Sequence, residues 1–368
     1  MLRREFLARS VAVGITAASA FDSPRPATAA DESRAAATDK AAKIKIGQIG
    51  TGHSHAGGKL AAIRSLSDRW ELVGVAEPDE ARRSRAAKSE IYSGVAWLDE
   101  ATLLAVPEVK AVAIETPIPE LCAAASRALA AGKHIHLDKP GALEHDEFVK
   151  MRRDAEQRGL TVQMGYMLRY NPAFSLLFRA AKEGWFGEIL EIDCAMGKLA
   201  PEGMRRELAA TPGGGMFELA CHIIDAALTV LGKPEKVHAF AKRSSPTVDS
   251  FADDQLAVLE YPKATVTVRC NHADPFGGPH RRFQVVGTKG AMEITPLESG
   301  RCTLRLSEPH DTYKKGEQTL ALAVPKGRYD EEFIDLARVV RGEKPLAWSA
   351  DHDIGVHETV LRAAGVWK

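Results

Sequence analysis

Residues 213–228 hold the densest group of side chains able to move a proton. After Gly213-Gly214-Gly215 the chain reads Met216-Phe217-Glu218-Leu219-Ala220-Cys221-His222-Ile223-Ile224-Asp225-Ala226-Ala227-Leu228. Glu218, His222 and Asp225 are spaced by four and three, which puts them on one face of a single helix. Every other residue from Met216 on is apolar or a thiol, so the helix is expected to be buried. Burying a polar stripe without partners costs about 1–3 kcal/mol per group. The stripe must therefore face a polar cavity or satisfy itself. In the first case His222 is a base, since imidazole exchanges a proton near neutral pH, with Glu218 or Asp225 orienting it. In the second it is a core histidine bonded to its own neighbours. A metal site is the third reading, but one rigid helix seldom surrounds an ion, and no metal is expected.

A second reactive group stands at Leu137-Asp138-Lys139-Pro140-Gly141, directly after an apolar run. A lysine at the end of a strand, held by the following proline, is placed to reach a bound ligand; Asp-Lys-Pro-Gly is equally good turn chemistry. Tyr166, Arg169 and the pair Arg205-Arg206 offer donors for substrate hydroxyls or carboxylates, or surface ion pairs and packing.

The elements that must position these groups begin at residues 43–59, KIKIGQIGTGHSHAGGK. This is a strand, a tight turn and a helix start. Gly50 and Gly52 fill the first two places of a dinucleotide-binding turn, with Thr51 between them, and His55 stands where the third glycine is usual. His53 lies near the expected pyrophosphate, or caps the helix. The second strand (70–77) ends in Glu77, an acid that binds a free ribose 2′-hydroxyl and repels a 2′-phosphate; it favours NAD, with NADP possible. Apolar strands then alternate with helices up to about residue 165, the pattern of a parallel doubly wound α/β sheet. Beyond it, short strands follow one another without intervening helices, which predicts a second, α+β domain with a mostly antiparallel open sheet. The expected domains are 43–165, 166–328, and a C-terminal helical segment 329–368 packing back on the first.

With these pieces in hand, the chain resembles the glucose-fructose oxidoreductase/inositol dehydrogenase (Gfo/Idh/MocA) family. The resemblance rests on I-G-T-G-H-S-H at 49–55, Glu77, E-T-P at 115–117, K-H-I-H-L-D-K-P at 133–140, G-Y-M-L-R-Y-N-P at 165–172 and G-G-G-M-F-E-L-A-C-H-I-I-D at 213–225. It implies that Thr116, Pro117 and Asp138 line the nucleotide, that Lys139 and His222 sit beside the nicotinamide, and that Tyr166, Arg169 and Asp225 border the substrate. The activity implied is hydride transfer between NAD(P) and a sugar or polyol, with His222 as base assisted by Lys139 and Glu218. Two other outcomes are an NAD-dependent glycoside hydrolase or lyase and a non-catalytic nucleotide-bound protein. The family's usual aspartate is Glu218 here, its E-K-P glutamate is Asp138, and Leu121 stands near the place of its histidine after T-P.

The remaining features bound the setting. With 49 basic and 49 acidic residues the formal charge is zero, which argues against nucleic acid as partner. Arg3-Arg4 before Phe6-Leu7, a short apolar core and Ala27-Thr28-Ala29 form the parts of a twin-arginine export signal over 1–30, followed by a linker over 31–42. The expectation is a periplasmic protein without a stable membrane anchor, a tightly held cofactor, and a homodimer or homotetramer joined through the open sheet. Five scattered cysteines read as buried thiols, with a Cys194 to Cys270 bridge the minor alternative.

Overall fold

A computed structural model describes residues 42–245 and 249–367. The expected export signal, and all of the linker but Ala42, lie outside the described residues. Residues 43–165 build a six-stranded sheet, and all its pairings are parallel: β1 (Ile44–Ile49), β2 (Trp70–Ala76), β3 (Trp97–Leu98), β4 (Val109–Ile114), β5 (His134–Leu137) and β6 (Val162–Met164), in the order 3-2-1-4-5-6. β4 and β5 are buried almost throughout, as apolar strands covered on both faces must be. The order reverses direction between β1 and β4. A doubly wound sheet opens its ligand crevice at that switch, outside the carboxyl ends of the strands. All the sequence-predicted groups of the first half stand at such ends: Gly50 to His53 after β1, Glu77 after β2, Thr116 and Pro117 after β4, Asp138 and Lys139 after β5, and Tyr166 shortly after β6.

The second sheet has eight strands in the order 14-13-12-11-7-10-9-8: β7 (Ile189–Gly197), β8 (Lys236–Lys242), β9 (Asp254–Glu260), β10 (Thr265–Asn271), β11 (Arg282–Gly287), β12 (Gly290–Ile294), β13 (Arg301–Leu306) and β14 (Gly316–Ala321). Every pairing is antiparallel except β7 with β10. Burial alternates along β9, β10 and β13, so one face is covered and the other is not. The covered face receives the helix Pro172–Lys182, where the Phe174 and Phe283 rings meet at 5.4 Å. That helix starts cleanly because Pro172 presets its first turn and the Asn171 side chain accepts from the amide of Ala173 at 2.9 Å, a cap worth about 1 kcal/mol. All five cysteines are buried and free; Cys194 donates to the Thr267 carbonyl, and no Cys194 to Cys270 bridge forms.

The final helices return to the first sheet and to the helices around the site. The Asp330–Val340 helix packs on the Ala56–Ser65 helix, and the Phe333 carbonyl accepts from the Trp70 indole. The last helix, Ala350–Ala363, packs on the His145–Gln157 helix and on the helix that carries His222. Among the described residues no helix is long and apolar enough to cross a membrane.

Candidate active site

The stretch expected to form one helix forms two. Gly214–Glu218 is a short helix, Leu219 and Ala220 break it, and Cys221–Leu231 is a second. The ring of His272, directly after β10, lies so close over Gly215 that an added Cβ would stand 2.2 Å from it, so only glycine fits at the start of the first helix. The break puts Glu218 and His222 on opposite sides of a joint rather than on consecutive turns. Glu218 is thereby aimed at Lys139. The Lys139 ammonium donates to Glu218 Oε1 and to the Glu218 carbonyl, both at 2.7 Å. Lys139 is buried; burial opposes its charge, but Glu218 outweighs that and raises its pKa. Glu218 is held well below the usual carboxylate range, since the nearby cations Lys139 and Lys198 overcome its own burial.

His222 is 2 % exposed, and its ring meets Tyr166 edge-on at 5.9 Å. Burial first, then the positive charge of Lys139, push its pKa well below 6.5, so the imidazole is neutral at pH 7. Its Nδ1 has no hydrogen-bond partner in the protein. The expected orienting carboxylates are engaged elsewhere. Glu218 holds Lys139, and Asp225 is clamped by the Arg169 guanidinium at 2.6 Å and by His352 at 3.0 Å. Arg169 reaches on to Asp353 at 2.6 Å, and Arg152 pairs with the same Asp353 at 2.8 Å. Arg169 and Asp225 therefore form a buried ionic cluster beneath the site, with the guanidinium stacked between the Tyr166 and Trp348 rings. Arg205 is likewise occupied, by Asp249 and Asp253, while Arg206 is exposed and pairs with Glu202.

On the nucleotide side, Gly50 adopts φ +88°, and a Cβ there would lie 2.5 Å from the Thr116 amide nitrogen. Two strand ends thus approach as closely as a dinucleotide-binding turn requires, and no side chain caps the following Ala56–Ser65 helix, whose amino end favours an anion. The residues present fit a nicotinamide dinucleotide. Glu77, however, is already saturated: Oε2 accepts from the Thr51 amide and hydroxyl at 2.7 and 2.9 Å, and Oε1 accepts from the Asp79 amide and from Arg82, both at 3.0 Å. Arg82 escaped the sequence reading, although it lies only five residues beyond the acid. Lys198, 3.8 Å from Glu218 at the end of β7, escaped as well. His53 and His55 both turn Nδ1 toward Asp138, at 3.2 and 3.1 Å.

Two family models match this chain. The "Oxidoreductase family, NAD-binding Rossmann fold" covers residues 44–166, and the "GFO/IDH/MocA C-terminal domain" covers 174–293. The chain belongs to the Gfo/Idh/MocA family of oxidoreductases. Relatives of this Gfo/Idh/MocA protein extend over most of its length. An uncharacterized oxidoreductase of Rhizobium meliloti is 26% identical over 342 residues, 88% of this chain and 98% of the relative. D-xylose 1-dehydrogenase (NADP(+)) 2 of Haloferax volcanii is 28% identical over 325 residues, 81% of this chain and 95% of the relative. The crystal structure of the WlbA dehydrogenase of Chromobacterium violaceum, in complex with NADH and UDP-GlcNAcA, shares the fold at a TM-score of 0.72 and 19% identity, over 89% of this chain and 94% of that one. The protein is thus an NAD(P)-binding oxidoreductase with a parallel Rossmann sheet and a mostly antiparallel second sheet.

Buried histidines make stability depend on pH. Burial lowers the pKa of His55, His272 and His357 to about 4, and that of His136 to about 3, against 6.5 when unfolded. Between pH 6.5 and 4 the unfolded chain binds more protons, so stability rises with pH and is lost on acidification. Glu115 and Glu332, raised by burial, act in the opposite sense, but His134, His145 and His222, also lowered by burial, act with the four histidines. Differential scanning calorimetry is expected to show Tm falling steadily from pH 6.5 to pH 4. A flat or rising Tm across that interval contradicts the burial of these imidazoles.

Proposed function

We propose that the protein transfers a hydride reversibly between a carbinol carbon of a sugar or polyol and a tightly held nicotinamide dinucleotide. The bound cofactor would supply the hydride acceptor, at C4 of its nicotinamide ring. The chain's own part is to bind and orient the substrate hydroxyl and to manage its proton. His222 carries the proposal: a buried imidazole, kept neutral by its burial and by the Lys139 ammonium, is a base able to take a hydroxyl proton. As the hydroxyl approaches, His222 takes its proton, and the Lys139 ammonium stabilises the developing alkoxide. Glu218 keeps Lys139 charged and pointed, which makes it a positioning residue.

The carbohydrate class is supported by the name of the Haloferax relative, a D-xylose dehydrogenase, and by the preference of an alcohol oxidation for a base of this kind. Saturation of Glu77 and the adjacent Arg82 guanidinium widen the cofactor choice: a carboxylate with its acceptors in use discriminates less against a 2′-phosphate, and an arginine beside it favours one. The uncovered face of the second sheet supports assembly into a homodimer or homotetramer, and the amino-terminal arginine pair supports periplasmic export. The test is incubation of the purified protein with NAD or NADP and a panel of aldoses, polyols and glycosides. Growth of the reduced-nicotinamide absorbance band with a free sugar or polyol is the expected result. Aglycone release from a glycoside without that band overturns the proposal in favour of cleavage, and inertness toward the whole panel overturns the substrate class.

A further inference from the structure

Beneath the dinucleotide turn, three strand ends bring together a set of ligands that takes no part in moving the proton or the hydride. His53 follows β1, Glu115 follows β4 and Asp138 follows β5. Their side chains are buried, with His55 the most open of the group. His53 Nδ1 lies 3.2 Å from Asp138 Oδ2 and 3.8 Å from Glu115 Oε2, and His55 Nδ1 lies 3.1 Å from Asp138 Oδ2. Two imidazole nitrogens and a carboxylate oxygen fall within 4.8 Å of one another.

Hydrogen bonding alone leaves this cluster in difficulty. The His55 amide donates to His53 Nδ1 at 3.3 Å, which asks that nitrogen to present a lone pair, yet the same nitrogen faces a carboxylate oxygen, another acceptor. Asp138 Oδ1 already accepts from the Lys139 amide at 2.7 Å. Glu115, wholly buried beside them, faces a second acid, Asp138, so the two carboxyls must share either a proton or a cation. Buried carboxyls left with neither are costly and rare. The nearest cations, Lys59 and Lys139, are bonded to Glu332 and Glu218. A small cation among the four side chains would satisfy all of these atoms at once.

We propose that His53, His55 and Asp138, with Glu115 as fourth ligand, bind one divalent transition-metal ion that prefers mixed nitrogen and oxygen donors, of the Zn²⁺ class. The separations suit it. Two donors each about 2.1 Å from a tetrahedral ion stand roughly 3.4 Å apart, close to the His-to-Asp distances already present, so the donors need only small shifts. The ion clips the ends of β1, β4 and β5 together under the crevice, and His55 leaves it one partly open side.

The test measures metal content and needs no substrate, so it can fail independently of the proposed redox activity. The full-length protein is loaded with Zn²⁺, dialysed, and assayed by elemental mass spectrometry; a parallel sample is loaded with Co²⁺ and its visible spectrum recorded. The expected result is about one ion per chain, with intense d–d bands of a low-coordinate Co²⁺ site, and at least a tenfold lower affinity in His53→Ala/His55→Ala and in Glu115→Gln. Circular dichroism establishes that the variants are folded. Retention below about one-tenth of an ion per chain, or equal retention in the folded double variant, overturns the proposal and leaves a proton-sharing network. Should the variants fail to fold, the wild-type Co²⁺ spectrum still decides: bands of hexaaqua type mean the site does not exist.

Discussion

Replacing His222 by alanine is expected to lower kcat for sugar or polyol oxidation by about two to four orders of magnitude while nucleotide binding changes little. The argument rests on what the imidazole does and does not touch. Neutralised by burial and by Lys139, it keeps a lone pair on one ring nitrogen, as a base must. Removing it leaves the hydroxyl proton to water, which a buried site largely excludes. Dinucleotide affinity, by contrast, depends on the turn at Gly50 to His53 and on the ends of β2 and β4, none of which hydrogen-bonds to His222. Steady-state kinetics with a substrate found in the panel, together with fluorescence titration of the reduced cofactor, separates the two quantities. A variant that keeps wild-type kcat, or that loses nucleotide affinity in proportion, removes His222 from the proposed role. Lys139→Met is expected to act in the same direction, because it removes the ammonium and leaves Glu218 with Lys198 alone, 3.8 Å away.

Arg169→Leu is expected to destabilise the fold by about 3–5 kcal/mol, enough to unfold many domains outright. Arg169 is enclosed by Asp225 and Asp353, both buried, so the substitution strands two carboxylates without their main partner. Arg152 still serves Asp353 and His352 still serves Asp225, which keeps the loss within that range. Chemical denaturation gives the measurement. The double change Arg169→Leu with Asp225→Leu is expected to recover part of it, because an apolar pair needs no compensation. A single variant within about 1 kcal/mol of wild type would mean that the cluster is solvated, contrary to its burial.

The first sheet was legible because most of its strands are largely apolar and end at glycine, proline or acid, and their alternation with helices marks a parallel sheet; the strand order was not. Trp97–Leu98 and Gly316–Ala321 were not: the one is two residues long, and the other, Gly-Glu-Gln-Thr-Leu-Ala, carries no apolar run. The parallel pairing of β7 with β10 was hidden too, since nothing local distinguishes it from a hairpin partner. In the site, Lys139 and His222 announced themselves by residue type and neighbours. Their couplings did not, because the Lys139 to Glu218 bond joins positions 79 apart and no local signal marks the helix break at 219–220. An ideal 3.6-residue periodicity put Glu218, His222 and Asp225 on one stripe; tertiary packing tied Glu218 to Lys139 and Asp225 to Arg169 and left His222 Nδ1 without a hydrogen bond. Glu77 shows the same limit, since an acid at the end of β2 looks free until Arg82 and Thr51 are seen to use it.

The cluster around Arg169 also ties distant parts of the chain into one cooperative unit. Arg169 follows the first sheet, Asp225 lies on the helix that carries His222, and Asp353 lies on the Ala350–Ala363 helix. The floor under Tyr166 and His222 is complete only when all three segments are docked. Local opening of the Ala350–Ala363 helix is therefore expected to loosen the reaction centre while the first sheet stays closed.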